Sequence, residues 1–223
     1  MNREHTVKSY DEEMRSLQSM VMAMAQHVED QMKLAIQVIE TRDEQLAQKL
    51  VAGDQEINAL QEETDQLTVR ILATRQPMAI DLRTIVSVLK IVAELERIAD
   101  YAASMGKLVH YLNSVSLDEL TVSIQEMHRI ALSMLSDSIK IYQSMDPQMA
   151  VTLWHRDDEI DEIYQKFLKQ LQSFMSKSPD RVQISTGLLF MGRNCERMGD
   201  HLTNIAENIF FIATGENLLK TTL

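Results

Sequence analysis

Apolar positions recur three and four residues apart over most of the chain. On the last such segment Ile184, Leu188, Met191, Cys195, Met198, Leu202, Ile205 and Ile209 form one stripe, and Ile85, Val88, Val92, Leu95, Ala99 and Ala102 form another. This is the spacing of a helix with one buried face, and no stretch alternates as a strand would. The breaks between stripes carry helix-start chemistry: Asp146-Pro147 and Ser178-Pro179 each read as an N-cap followed by proline at the first helical position. Ser116 with Glu119 reads as a capping box, and Gly53 interrupts the pattern before Asp54. These signals predict helices over 6–40, 43–52, 54–75, 78–113, 117–145, 147–154, 156–177 and 180–214, the short second and sixth being kinked continuations of their neighbours.

The pattern repeats. Shifted by 103 residues, Asp43 falls on Asp146, Ala47 on Ala150, Asp54 on Asp157 and Ile57 on Ile160; further on the shift is 100, so that Glu96, Arg97 and Asp100 overlie Glu196, Arg197 and Asp200. The three-residue loss lies around the turns at Pro77 and Pro179, where loop length is free to vary. The expected fold is therefore all-α: two tandem pseudo-symmetric three-helix bundles, residues 1–113 and 114–223.

Composition agrees and narrows function. With 45% apolar residues, 6 glycines, 3 prolines and 5% aromatics, the chain suits long packed helices. The methionines, Met20, Met22 and Met24 among them, read as core filling. Cys195 lies on the apolar stripe and reads as a small buried hydrophobe. The net charge of −11, without a basic run, argues against nucleic acid and for cationic partners. A lone cysteine, a polar start from Met1 to Asp11 and the lack of an apolar run of about 18 residues lead us to expect a cytoplasmic protein, peripheral to membranes at most.

The candidate chemistry is acidic. Glu96 and Asp100, and again Glu196 and Asp200, stand one turn apart beside the apolar stripe. The preceding helix of each repeat opens with a second acidic run, Asp54-Gln-Glu56-Ile-Asn58 and Asp157-Asp158-Glu159-Ile-Asp161. Antiparallel packing brings that start beside the end of the next helix, and two such carboxylate pairs offer an all-oxygen nest for a hard cation such as Mg²⁺, Mn²⁺ or iron. Two plainer readings stand beside it: Arg97, Arg193 and Arg197 could pair with these acids, and Asp54 and Asp157 could be helix caps. None of the six histidines has an acid three residues before it, as a di-iron carboxylate site would need. No phosphate-cradling loop or paired-cysteine zinc pattern occurs.

Taken together, Arg75-Gln-Pro77-Met-Ala-Ile-Asp81-Leu-Arg83, Glu94-Leu-Glu96-Arg97-Ile-Ala-Asp100, Asp157-Asp-Glu-Ile-Asp161, Cys195-Glu196-Arg197-Met-Gly-Asp200-His201-Leu-Thr-Asn204-Ile-Ala-Glu207 and Phe210-Phe211-Ile-Ala-Thr-Gly215 resemble the PhoU family over nearly the whole chain. These are accessory regulators of bacterial phosphate uptake and phosphate-starvation signalling. The resemblance implies no catalysis, and a homodimer that binds divalent metal ions or iron clusters (magnesium, manganese, iron or zinc). It implies a first site of Asp54, Glu96 and Asp100 and a second of Asp157, Asp161, Glu196 and Asp200. It also implies two partners, the ATPase subunit of the phosphate ABC transporter and the sensor histidine kinase of the phosphate regulon, which is held off while phosphate is plentiful. Asn58 against Asp161, and Ser104 against Asn204, imply a weaker first site. Other readings are an accessory protein of another anion or phosphate carrier and, from a different class, a metal-dependent phosphate-ester hydrolase.

Overall fold

In a computed structural model of the chain, residues 3–114, 118–177 and 179–218 are described. They form eight α-helices: α1 (Arg3–Thr41), α2 (Glu44–Ala52), α3 (Asp54–Arg75), α4 (Ala79–Leu108), α5 (Asp118–Ser144), α6 (Pro147–His155), α7 (Asp157–Lys177) and α8 (Val182–Thr214). Short 3₁₀ segments follow α4 (Val109–Ser114) and precede α8 (Pro179–Arg181). There is no strand among the described residues.

Local chemistry repeats with the helices. α1 ends on Arg42 (φ 58) and α5 on Met145 (φ 52), both left-handed, with their N–H groups donating to the Val38 and Ile141 carbonyls at 2.8 Å. The next residue in each case is an aspartate cap: Asp43 accepts from the Gln45 and Leu46 N–H groups, and Asp146 from those of Gln148 and Met149, with Pro147 opening α6. The second helix of each bundle is kinked rather than broken. Gly53 (φ −66, ψ −16) and Arg156 (φ −71, ψ −16) both stay right-handed through the junction, so Gly53 is not a left-handed terminator. The caps read at Ser116 and Ser178 fall outside the described residues.

Two predicted ends shift. The helix expected to reach 113 leaves the α geometry at Leu108, where the Val109 N–H turns to the Gly106 carbonyl and the Arg42 guanidinium takes the Leu112 carbonyl at 2.7 Å. The last helix begins at Val182 instead of 180, because Pro179 to Arg181 forms a tighter turn.

Each bundle closes around its own apolar stripes, and the two pack together through α4 against α8 and α1 against α5. Met24, Met32, Met127, Met134, Met191, Met198 and Cys195 are fully buried, while Met20 and Met22 are partly buried against the same core. The Arg75-to-Arg83 motif is a clasp. Arg75 donates to Glu13 (2.8 Å) and Ser9 (2.7 Å) of α1, the Tyr10 hydroxyl donates to Asp81 (3.0 Å), and Arg83 reaches the Ile212 carbonyl at the far end of α8 (3.4 Å).

One buried polar contact joins the bundles. His128 of α5 is fully buried and its Nε2–H donates to the Met32 carbonyl of α1 at 2.8 Å, while Nδ1 has no partner among the described residues. Burial holds the imidazole neutral, its pKa lowered to about 4. Because the unfolded chain binds this proton from about pH 6.5 downward, stability is complete above that value and is lost as pH falls toward 4, by about 3 kcal/mol at the limit. Denaturant titrations between pH 7 and 4.5 should show His128→Gln, which keeps a donor, losing less stability than the wild type across this window.

Candidate functional site

α7 runs antiparallel to α8, so its first turn lies beside the stretch of α8 that carries Glu196 and Asp200. Gly199 makes the approach possible: a Cβ there would stand 2.1 Å from Oδ1 of Asp157. That oxygen is buried and has no hydrogen-bond partner among the described residues. Removal from water, then the charges of Asp161, Asp200, Glu196 and Asp158, push the Asp157 carboxyl up to about 7. Burial and Asp200 also raise Asp161 and Glu196. The four acids named from the sequence are thus brought together.

The first bundle repeats the arrangement in weaker form. Oδ1 of Asp54 is likewise buried with no hydrogen-bond partner among the described residues, while its Oδ2 accepts from the Asn58 amide at 3.4 Å. Burial and Asp100 raise its carboxyl, opposed by Lys107 and Asn58; Glu96 is raised by burial, Asp100 and Asp54. Asp54, Glu96 and Asp100 therefore form one electrostatic group. Ala99 occupies the place of Gly199.

Neither cap reading holds. Asp54 and Asp157 are the first residues of their helices, and the residue before α3, Gly53, offers no side-chain cap. The ion-pair reading holds in part: Arg97 lies 3.7 Å from Glu96 and 3.5 Å from Asp100, and Arg197 lies 3.2 Å from Asp200. Arg193 lowers the Glu196 carboxyl without forming an ion pair with it among the described residues. These arginines do not reach the buried oxygens of Asp54 and Asp157. Asn204, whose contrast with Ser104 is read as weakening the first site, donates to Glu94 of α4 at 3.1 Å.

The donor set is wholly carboxylate oxygen, which fits a hard cation. Among the described residues no three His, Cys, Asp or Glu side chains already converge on a point where an ion could be held. The acids are neighbours, and holding an ion requires side-chain rotation.

Sequence reasoning missed the groups between the two sites. Glu94 of α4 is bonded to His201 Nδ1 of α8 (2.5 Å), and the His201 ring packs against Tyr101 at 5.5 Å between centroids. His201 also lowers the Glu96 carboxyl. An adjacent Asp200-His201 pair was the available signal, but its partner lies 107 residues away.

Fold and site together define a class: a duplicated three-helix-bundle protein with one acidic cluster at the same place in each repeat. The family model described as "PhoU domain" matches twice, at residues 21–109 and 124–209. The chain is 43% identical over 216 residues to the phosphate-specific transport system accessory protein PhoU homolog of Caulobacter vibrioides (strain NA1000 / CB15N), covering 96% of this chain and 94% of that one. It is 32% identical over 213 residues to the phosphate-specific transport system accessory protein PhoU of Escherichia coli (strain K12), covering 96% and 88%. The crystal structure of PhoU from Pseudomonas aeruginosa superposes with a TM-score of 0.88 at 29% identity, over 93% of this chain and 100% of that one. The chain belongs to the PhoU family.

The Asp157 environment yields a pH prediction. Its folded pKa lies above the unfolded value near 4, so the metal-free protein carries an electrostatic penalty that is full above about pH 7 and vanishes as pH falls to 4. Discounted for partial solvent screening, that penalty is about 1–2 kcal/mol. In chelator-treated protein Asp157→Asn should therefore raise Tm at pH 8 and leave it unchanged near pH 4.

Proposed function

We propose that this chain is an accessory protein of a phosphate-specific transport system that represses phosphate-starvation signalling. In this reading it is a metal-binding scaffold, a homodimer, standing between the ATPase subunit of the phosphate ABC transporter and the sensor histidine kinase of the phosphate regulon. The observation that carries the reading is the end-to-end match, in both repeats, to relatives named as phosphate-specific transport system accessory proteins. The buried, unpartnered oxygens of Asp54 and Asp157 support the metal component.

The first site takes Asp54, Glu96 and Asp100, and the second takes Asp157, Asp161, Glu196 and Asp200. Bound cations supply the positive charge that these clustered carboxylates lack; all-oxygen ligation favours magnesium, manganese or iron over zinc. The chain's own part is to hold the acids on packed helices. Asn58 for Asp161 and Ala99 for Gly199 make the first site the weaker.

A catalytic role has little to stand on. Cys195 is fully buried, its thiol pKa is raised by burial, and its Sγ–H donates to the Ile124 carbonyl at 3.6 Å. His128 is equally enclosed. The net charge of −11 supports protein and cation partners over nucleic acid. No described helix is long and apolar enough to cross a membrane, so membrane contact is assigned to the partners.

Two measurements test the reading. Deleting the gene should leave phosphate-starvation genes expressed in phosphate-rich medium; normal repression in the deletion strain would point to another anion carrier. Elemental analysis should find Mn²⁺ or iron in the wild type and a loss of second-site metal in Glu196→Gln/Asp200→Asn. That loss removes the ligand-linked part of thermal stability, RT ln(1 + [L]/Kd), while the helical content stays unchanged. Glu96→Gln/Asp100→Asn should release less metal, and unchanged metal content in the Glu196/Asp200 variant would return these acids to ordinary ion pairing.

A further inference from the structure

The two repeats differ in chemistry where the short helix of each bundle crosses the end of the long one. In the first bundle a surface cleft of about 450 Å³ opens there, lined by Glu44, Ala47 and Val51 of α2 and by Gly106, Lys107 and His110 at the end of α4. That volume is within the range of ligand pockets, roughly 300–1,000 Å³. Gly106 lets the helices come close: a Cβ there would stand 3.0 Å from the Ala47 carbonyl and 3.3 Å from Val51.

The second bundle fills the corresponding place with its own side chains. Under the offsets of 103 and 100, Val51 becomes Trp154, Gly106 becomes Ala206, Lys107 becomes Glu207 and His110 becomes Phe210. The half-buried Trp154 indole donates its Nε1–H to Glu207 at 3.1 Å, and Phe210 is buried. One repeat therefore carries an aromatic ring beside a carboxylate where the other carries an apolar floor beside a lysine. Lys107 is exposed and forms no ion pair among the described residues, though its charge acts on Asp54.

We propose that the cleft of the first repeat is a docking site for a protein partner that inserts an aromatic side chain flanked by a carboxylate. The ring takes the place that Trp154 fills in the second repeat, over Ala47, Val51 and Gly106. The carboxylate faces Lys107, reversing the charge that Glu207 presents. The exposed ammonium of Lys107 at the end of α4 and the filled counterpart within the same chain select this occupant over a purely apolar one. The cleft adjoins the first carboxylate cluster through Lys107, whose charge acts on Asp54, but none of that cluster's acids lines it.

The test uses the full-length, isotope-labelled chain titrated by NMR with the capped peptide Ac-Asp-Trp-Glu-NH₂, its neutral counterpart Ac-Asn-Trp-Gln-NH₂, and free indole-3-propionate. The acidic peptide should give saturable shifts at Val51, Gly106 and Lys107 and none at Trp154, Ala206 and Glu207. The neutral peptide should bind about three- to fivefold more weakly, the ratio expected of one exposed charge pair. Lys107→Glu should weaken the acidic peptide by at least as much, and Val51→Trp, which fills the cleft from within, should abolish the shifts. Absence of saturable shifts at Val51 and Gly106, equal affinity for the two peptides, or binding unaffected by Lys107→Glu would overturn the proposal. So would indole-3-propionate binding as tightly as the acidic peptide, which would reassign the cleft to a free aromatic acid.

Discussion

Each bundle gives its long inner helix to a common seam, and α4 and α8 fill it side by side, antiparallel. Much else in the molecule is located by that pairing. Arg83, at the start of α4, meets the Ile212 carbonyl near the end of α8, while Tyr111, just past the end of α4, packs against Gly187 near the start of α8. Midway, Glu94 holds His201 and Asn204. Glu94 is partly buried and accepts from both residues of α8, so this knot ties the two helices at one register where apolar side chains alone would tolerate sliding. Both acidic clusters lie within two turns of it, and their separation follows from that register.

The clusters carry an electrostatic tension that the fold imposes. Packing the start of α7 onto Gly199 takes an Asp157 oxygen out of water with no donor to meet it among the described residues, beside four further acids. Such an arrangement destabilises the empty protein and is relieved by a proton or a cation. The surface arginines moderate the outer acids and leave the inner oxygens untouched. The first cluster is milder because Asn58 donates to Asp54 and Lys107 stands near it.

Elements governed by neighbours in sequence are legible in the chain itself. The apolar stripes placed the helices, Asp146-Pro147 placed the start of α6, and the register at Glu96 and Glu196 brought the acids together with their counterparts. What escaped depends on residues far apart in the chain. The early end of α4 is set partly by Arg42, 70 residues before Leu112, and the role of Asn204 by Glu94, 110 residues away. In sequence Gly199 is only a small residue inside a helix; its partner Asp157 reveals that the missing Cβ is what admits a carboxylate.

The connections between helices have not drifted equally since the repeat arose. The left-handed exits at Arg42 and Met145, the aspartate caps and the kinked junctions at Gly53 and Arg156 keep one register, whereas across the turn from the third to the fourth segment and its flanking helix ends the register between the repeats shifts by three residues. Where Gln76, Pro77 and Met78 form the first of these turns, Met78 is 77% exposed. The chain thus carries its own record of where extra length is cheap: an epitope or a fluorescent domain spliced at that turn meets a backbone that has already absorbed an indel, whereas the same graft after Thr41 would have to rebuild a two-residue hinge.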